Sequence, residues 1–175
     1  MRTPQSGPGA ENWQEFIPHT PGVLILGTET YARNLVRIER ENALPRIVIR
    51  ELSSGQEHAI AFDQDAYALG LEGGYEFDTD WLRFSYSSPS APNQVFDYNM
   101  QTRERILRKT TEVPSGHQPD DYSVGRIDIT ARDGEQIPVT IIMQAGQKLD
   151  GSAPCLLYGY GSYGITIPAS FRTSI

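Results

Sequence analysis

The sequence predicts a mainly β chain built on repeated four-strand units of the propeller-blade kind. Two observations carry this. Short apolar runs alternate with turn residues and show no helical period. The pattern also returns: Pro45 and Pro92, Val48 and Val95, Glu57 and Glu104, and Ile60 and Leu107 are each 47 residues apart. Val36 and Phe84, and Ile38 and Tyr86, are 48 apart. A period of about 40–50 residues carrying about four strands is that of propeller blades.

Each element has its own signal. Residues 1–19 are rich in Pro, Gly and Ser and turn amphipathic around Trp13 and Phe16. They read as a loop or an incomplete first strand. After the turn signal Thr20-Pro21-Gly22, residues 23–26 form a strand. Residues 34–40 alternate as a second, and residues 41–45 interrupt it. Residues 47–49 resume, Ser53 to Gln56 turns, and residues 59–62 form a further strand. Residues 81–86 alternate cleanly, 87–92 turn, and 95–98 and 106–107 are strands around a turn at Gln101-Thr102.

Residues 110–121 change character: Pro114, Ser115, Gly116, Pro119 and two aspartates stand among few apolar groups, the composition of a linker. Beyond it, residues 122–131 and 137–143 flank an Asp133-Gly134 turn and predict a hairpin. Residues 155–158 form an apolar run expected to be a buried strand. It opens into Gly159-Tyr160-Gly161-Ser162-Tyr163-Gly164.

Charge and composition exclude several classes. The chain carries 22 acidic against 15 basic residues, a net charge of −7, and no dense basic block. That balance argues against nucleic-acid binding. The most basic run, 103–109, contains Glu104 and reads as the solvated face of a strand. A single cysteine, Cys155, allows no internal disulfide and no cysteine metal cluster. The N-terminus lacks the apolar core of a signal peptide, and no apolar run approaches the roughly 20 residues of a membrane span. A cytoplasmic protein with no membrane partner is expected, and its oligomeric state stays open.

Candidate chemistry centres on the glycine–tyrosine loop. Gly159, Gly161 and Gly164 match the dinucleotide fingerprint by letter, but Ile165-Thr166-Ile167-Pro168 opens no helix, and the position of the required acid, about 20 residues on, falls past Ile175. Ser162 lacks the glycine two positions earlier that a nucleophile elbow needs; Tyr160 stands there. The histidines His19, His58 and His117 have no partners at triad or metal-ligand spacing, and the acids between Glu72 and Asp80 lack calcium-loop order. No cofactor and no metal are expected. Tyr160 is different. A tyrosine hydroxyl after a buried strand can donate to a developing oxyanion, and the same residues can equally form an aromatic packing loop.

These motifs carry a resemblance. Residues 121–171, through Asp133-Gly134, Ile137-Pro138-Val139, Leu149-Asp150-Gly151 and Leu157-Tyr158-Gly159-Tyr160-Gly161-Ser162-Tyr163, resemble the prolyl oligopeptidase family of serine peptidases. The early residues Glu11 to His19, with Phe84-Ser85-Tyr86-Ser87-Ser88 and Pro92, are most like its oligopeptidase B (protease II) branch. The resemblance implies the last blades of a β-propeller over residues 1–112, a linker over 113–121, and the first strands of an α/β-hydrolase domain over 122–175. It implies Tyr160 as half of an oxyanion hole and Tyr163 at the substrate-binding wall. It implies short peptide substrates, with the propeller gating access, and the likeness to the oligopeptidase B branch implies cleavage after Arg or Lys. It places the Ser, Asp and His of the triad beyond Ile175, so the chain is expected to be a fragment, inactive alone. The alternative is a non-catalytic β-repeat module that binds peptide or protein.

Overall fold

The computed structural model of the chain describes residues 1–173. Among these, the helical turns are three-residue 3-10 turns, and the rest of the regular structure is antiparallel β. The first sheet runs β1 (Val23–Thr30), β2 (Asn34–Glu41), β3 (Leu44–Glu51) and β4 (Glu57–Ala59), each strand pairing with the next. The second repeats that meander with β5 (Ala68–Leu71), β6 (Trp81–Ser87), β7 (Gln94–Asn99) and β8 (Arg105–Thr110). A two-stranded hairpin follows, β9 (Tyr122–Thr130) with β10 (Gln136–Gln144).

Alternation drives this arrangement. Val36 and Ile38 of β2 pair with Ile49 and Ile47 of β3, and Leu82, Phe84 and Tyr86 line one face of β6. These faces meet in one core with Tyr31, Ile60, Tyr98 and Met100. Phe84 is fully buried; it stacks on Phe96 at 5.4 Å between ring centroids and meets Phe62 edge-on at 5.8 Å. Aromatic and β-branched residues make up most of this core, and their burial is the main apolar contribution to its stability.

The opposite face of the first sheet buries charge. Arg37 is 5% exposed and Glu39 2%. Arg37 donates from Nε to Glu39 at 3.2 Å and from both Nη atoms to Glu57 at 2.9 Å. Arg46 donates to Glu39 at 2.6 Å and also pairs with Glu41, and Arg50 donates to Glu57 at 2.9 Å. Three guanidinium groups thus face three carboxylates, and the cluster is neutral. Phe16 of the N-terminal segment lies 5.1 Å from the Arg50 guanidinium, which ties that segment to this face.

Several expected boundaries move. The interruption predicted over 41–45 shrinks to a two-residue turn at Asn42 (φ 49) and Ala43 (φ 60), so Leu44 and Pro45 belong to β3. Paired positive φ values give the turn the twist that continuous hairpin strands require. The strand predicted over 59–62 is β4, ending at Ala59; Ile60 adds one bond to the Ile47 carbonyl, and Phe62 turns inward among Tyr67, Phe84 and Tyr86. The short strand β5 has no counterpart in the sequence reading. A Cβ on its Gly70 would lie 2.7 Å from the Ser85 hydroxyl, so close strand approach explains that glycine.

One expectation fails outright. Residues 155–158 do not form a buried strand: they pair with nothing among the described residues, and Leu157 is 86% exposed. An apolar run becomes a strand only where a neighbouring strand accepts its N–H and C=O groups, and none lies beside it here. The first strands of an α/β-hydrolase sheet therefore do not appear as such. The segment expected to begin that domain runs to Ile175, and Ser174 and Ile175 lie outside the described residues.

Candidate active-site loop and its contacts with the blades

Tyr160 and Tyr163 lie on the loop that follows the unpaired 155–158 run. Ser162, Tyr163 and Gly164 form a tight turn, closed by the Ile165 N–H donating to the Ser162 carbonyl at 3.1 Å. Tyr163 takes a left-handed backbone (φ 57, ψ 26) and Gly164 follows at φ 67. Glycine adopts that region freely, whereas for tyrosine it costs about 1–2 kcal/mol. The turn opens no helix, so the dinucleotide fingerprint lacks the N-terminus that would hold a pyrophosphate.

Tyr160 is 52% exposed and Tyr163 92%. A hydroxyl donor stabilises an oxyanion strongly only in a site that excludes water. The chain by itself does not exclude water from Tyr160. An oxyanion hole built on this residue requires further protein to cover it.

The loop nevertheless touches the first sheet. Arg40 of β2 donates from Nη1 to the Thr166 hydroxyl at 2.9 Å and from Nη2 to the Gly164 carbonyl at 3.1 Å. Two residues on, the Asn42 carbonyl accepts a short hydrogen bond from Arg126 of β9. An open cleft lies here between the β2–β3 turn and the hairpin, lined by Asn42, Ala43, Tyr67, Arg126, Asp128 and Pro138. The sequence reading singled out neither arginine. Each stands in an alternating strand like any other surface charge, and their partners lie 84 or more residues away.

His58, His117, Asp78 and Asp80 fall into structural roles, whereas His19 stays exposed. His117 bonds the Ser90 carbonyl through Nε2 at 2.6 Å, stacks on Tyr122 at 5.3 Å and meets Phe171 edge-on at 4.7 Å. It knots the second sheet, the hairpin and the C-terminal segment together. His58 in β4 sits 6.0 Å from the Tyr98 ring; burial and the nearby Arg103 hold its imidazole below the ordinary value. Asp78 and Asp80 accept from Arg33 at 2.7 and 3.0 Å and so link the two sheets. The basic run 103–109 is more than a solvated face. Arg105 lies over the Phe62 and Phe96 rings at 5.6 and 5.3 Å, and Arg108 donates to Asp97 at 2.7 Å. Among the described residues no group of His, Cys, Asp or Glu could hold a metal ion, and no helix is long and apolar enough to cross a membrane.

Two successive four-stranded meanders sharing one core define a propeller-type β protein. Residues 1–111 match the family described as prolyl oligopeptidase, N-terminal beta-propeller domain, and the chain belongs to the prolyl oligopeptidase family. It is 34% identical over 172 residues to dipeptidyl aminopeptidase BI of Pseudoxanthomonas mexicana, covering 98% of this chain and 24% of that protein. It is 28% identical over 151 residues to protease 2 of Moraxella lacunata, covering 86% and 20%. The closed form of oligopeptidase B from Trypanosoma brucei, solved with covalently bound antipain, superposes with a TM-score of 0.84 at 27% identity, over 96% of this chain and 25% of that one. The chain thus spans about a quarter of the length of the relatives it matches.

Proposed function

We propose that this chain is the meeting point of the propeller and peptidase parts of a serine oligopeptidase acting on short peptides. In this reading residues 1–112 are propeller blades, 113–121 a linker, and 122–175 the start of an α/β-hydrolase peptidase domain. The nucleophile, acid and histidine come from sequence outside residues 1–175. The Tyr160 hydroxyl donates to the negative charge that develops on the scissile carbonyl oxygen. Tyr163 presents its ring to the substrate as part of the binding wall. The blades restrict access to short peptides, cleavage falls after Arg or Lys, and the compartment is the cytoplasm.

One observation carries the reading. The similarity to dipeptidyl aminopeptidase BI covers 98% of this chain and so takes in both the blades and the glycine–tyrosine loop. Chemistry agrees: a phenol hydroxyl is a donor at neutral pH, and short peptides need no basic surface to be recruited.

The test joins this chain to the segment that follows it in its gene and assays short peptides carrying a reporter amide directly after Arg, Lys or Pro. Turnover after Arg and Lys is expected. Tyr160→Phe should lower kcat about 100-fold with little change in KM, the loss typical of one oxyanion donor. Unchanged kcat removes Tyr160 from the role, and absence of any peptidase activity overturns the reading.

A further inference from the structure

Arg40 sits near the end of β2, opposite Leu24 of β1 and Pro45 of β3. It is flanked by paired strands on both sides, so its backbone is among the more rigid platforms in the chain. Its guanidinium leaves the sheet and takes two acceptors at once, the Gly164 carbonyl and the Thr166 hydroxyl. One acceptor is the carbonyl of Gly164, the second member of the left-handed pair Tyr163 and Gly164, and the other lies two residues further on. That pair turns the chain so that both oxygens reach one planar fork. The internal bond from Ile165 to Ser162 closes the turn on its own side, and Arg40 closes it from the side of the blades. A tyrosine in the left-handed region persists where its surroundings fix it.

We propose that Arg40 is a positioning residue, through which a propeller blade sets the conformation of the loop carrying Tyr160 and Tyr163. The inference rests on the reading of that loop as part of a peptidase site. It makes the geometry of the site depend on contact with the blade: when the contact parts, the turn loses the donor that holds it. The fork geometry matters, because an ammonium group can serve one of the two acceptors well but not both in this arrangement.

Hydrogen exchange on the 175-residue chain tests it without any activity assay. Arg40→Ala should speed exchange of the Ile165 amide about fivefold, the net worth of its two solvent-exposed bonds to the turn, while the amides of β2 and β3 stay protected. Arg40→Lys should restore part of the protection. Thr166→Val, which removes one acceptor and leaves the blade untouched, should speed exchange by a smaller factor. Unchanged exchange at Ile165 in Arg40→Ala overturns the proposal, as does equal loosening of β2 and β3, which would mark Arg40 as a sheet residue only. If Arg40→Ala loosens the turn while Tyr160→Phe leaves turnover intact in the joined protein, the positioning stands and the oxyanion role falls.

Discussion

Replacing Arg37 by leucine should strike the fold harder than any surface change. Arg37 supplies three charge-assisted hydrogen bonds, one to Glu39 and two to Glu57. Its removal leaves the neutral cluster with one carboxylate in excess, and Glu39 has almost no access to water. Breaking a buried pair from one side costs about 3–5 kcal/mol. Two features favour the lower end. Glu57 keeps Arg50 and a side chain one-third exposed, and Glu39 keeps Arg46. We therefore expect about 3 kcal/mol, which at a urea slope of about 2 kcal/mol/M lowers the midpoint by about 1.5 M. Urea is the right denaturant because, unlike guanidinium, it does not screen charge. Tryptophan fluorescence from Trp13 and Trp81 follows the transition at low micromolar protein. Pairing Arg37→Leu with Glu39→Leu should cost less than the sum of the two, since the second change removes the stranded charge. A midpoint shift below about 0.3 M for Arg37→Leu, or strict additivity in the double variant, would refute the account of this cluster.

Other outcomes follow from the same structure. Phe84→Ala, at a fully buried position between two aromatic neighbours, should cost about 4 kcal/mol by the same urea assay, and a loss under about 1 kcal/mol would mean the sheets do not share this core. Stability should also fall in acid. Hydrogen bonds from Arg83 first, then Arg108, hold the Asp97 carboxyl below its ordinary value, and Arg37 first, then Arg50, do the same for Glu57. A depressed carboxyl contributes stability that is fully present above its unfolded value, about 4, and lost as pH falls through the folded one. The urea midpoint should drop below about pH 4, and less steeply in Asp97→Asn; parallel slopes would contradict this. Finally, Leu156, Leu157, Ile127, Ile129 and Ile137 are all exposed, so the chain should self-associate as its concentration rises in sedimentation velocity. Leu156→Lys with Leu157→Lys should reduce that association, and a monomer at every concentration would count against it.

Much of the β architecture could be read from the chain, because alternation and turn chemistry are local signals. The second strand of each meander, the turn at Ser53 to Gln56 and the hairpin around Asp133-Gly134 all announce themselves within a few residues. The repeat was legible as a period but not in its exact register. Val36 and Phe84, 48 apart, both point into the core between the sheets. In stacked layers the upper face of one meets the lower face of the next, so these two cannot occupy equivalent places. The ladders give the alternative: Leu35 with Arg50 and Glu57 in the first sheet answer to Leu82 with Tyr98 and Arg105 in the second, separations of 47, 48 and 48. Under that register the charged Arg37 corresponds to Phe84, and hydrophobic matching cannot see it. The candidate site was legible only as a motif. Tyr160 and Tyr163 stand out by composition, whereas the role of Arg40 depends on a partner at the other end of the chain. The failed strand over 155–158 has the same cause, since apolar content reports a wish for burial and not the presence of a neighbour.

The pairing order carries a consequence for assembly. Every strand of both meanders bonds only its neighbours in sequence, so each sheet closes short loops and can form as soon as its own residues exist. The contact from Arg40 to Thr166 spans 126 residues and gains nothing until both sheets and the hairpin are in place. The loop with Tyr160 and Tyr163 should therefore be the last part of the chain to take its final form and the first to lose it on mild denaturation.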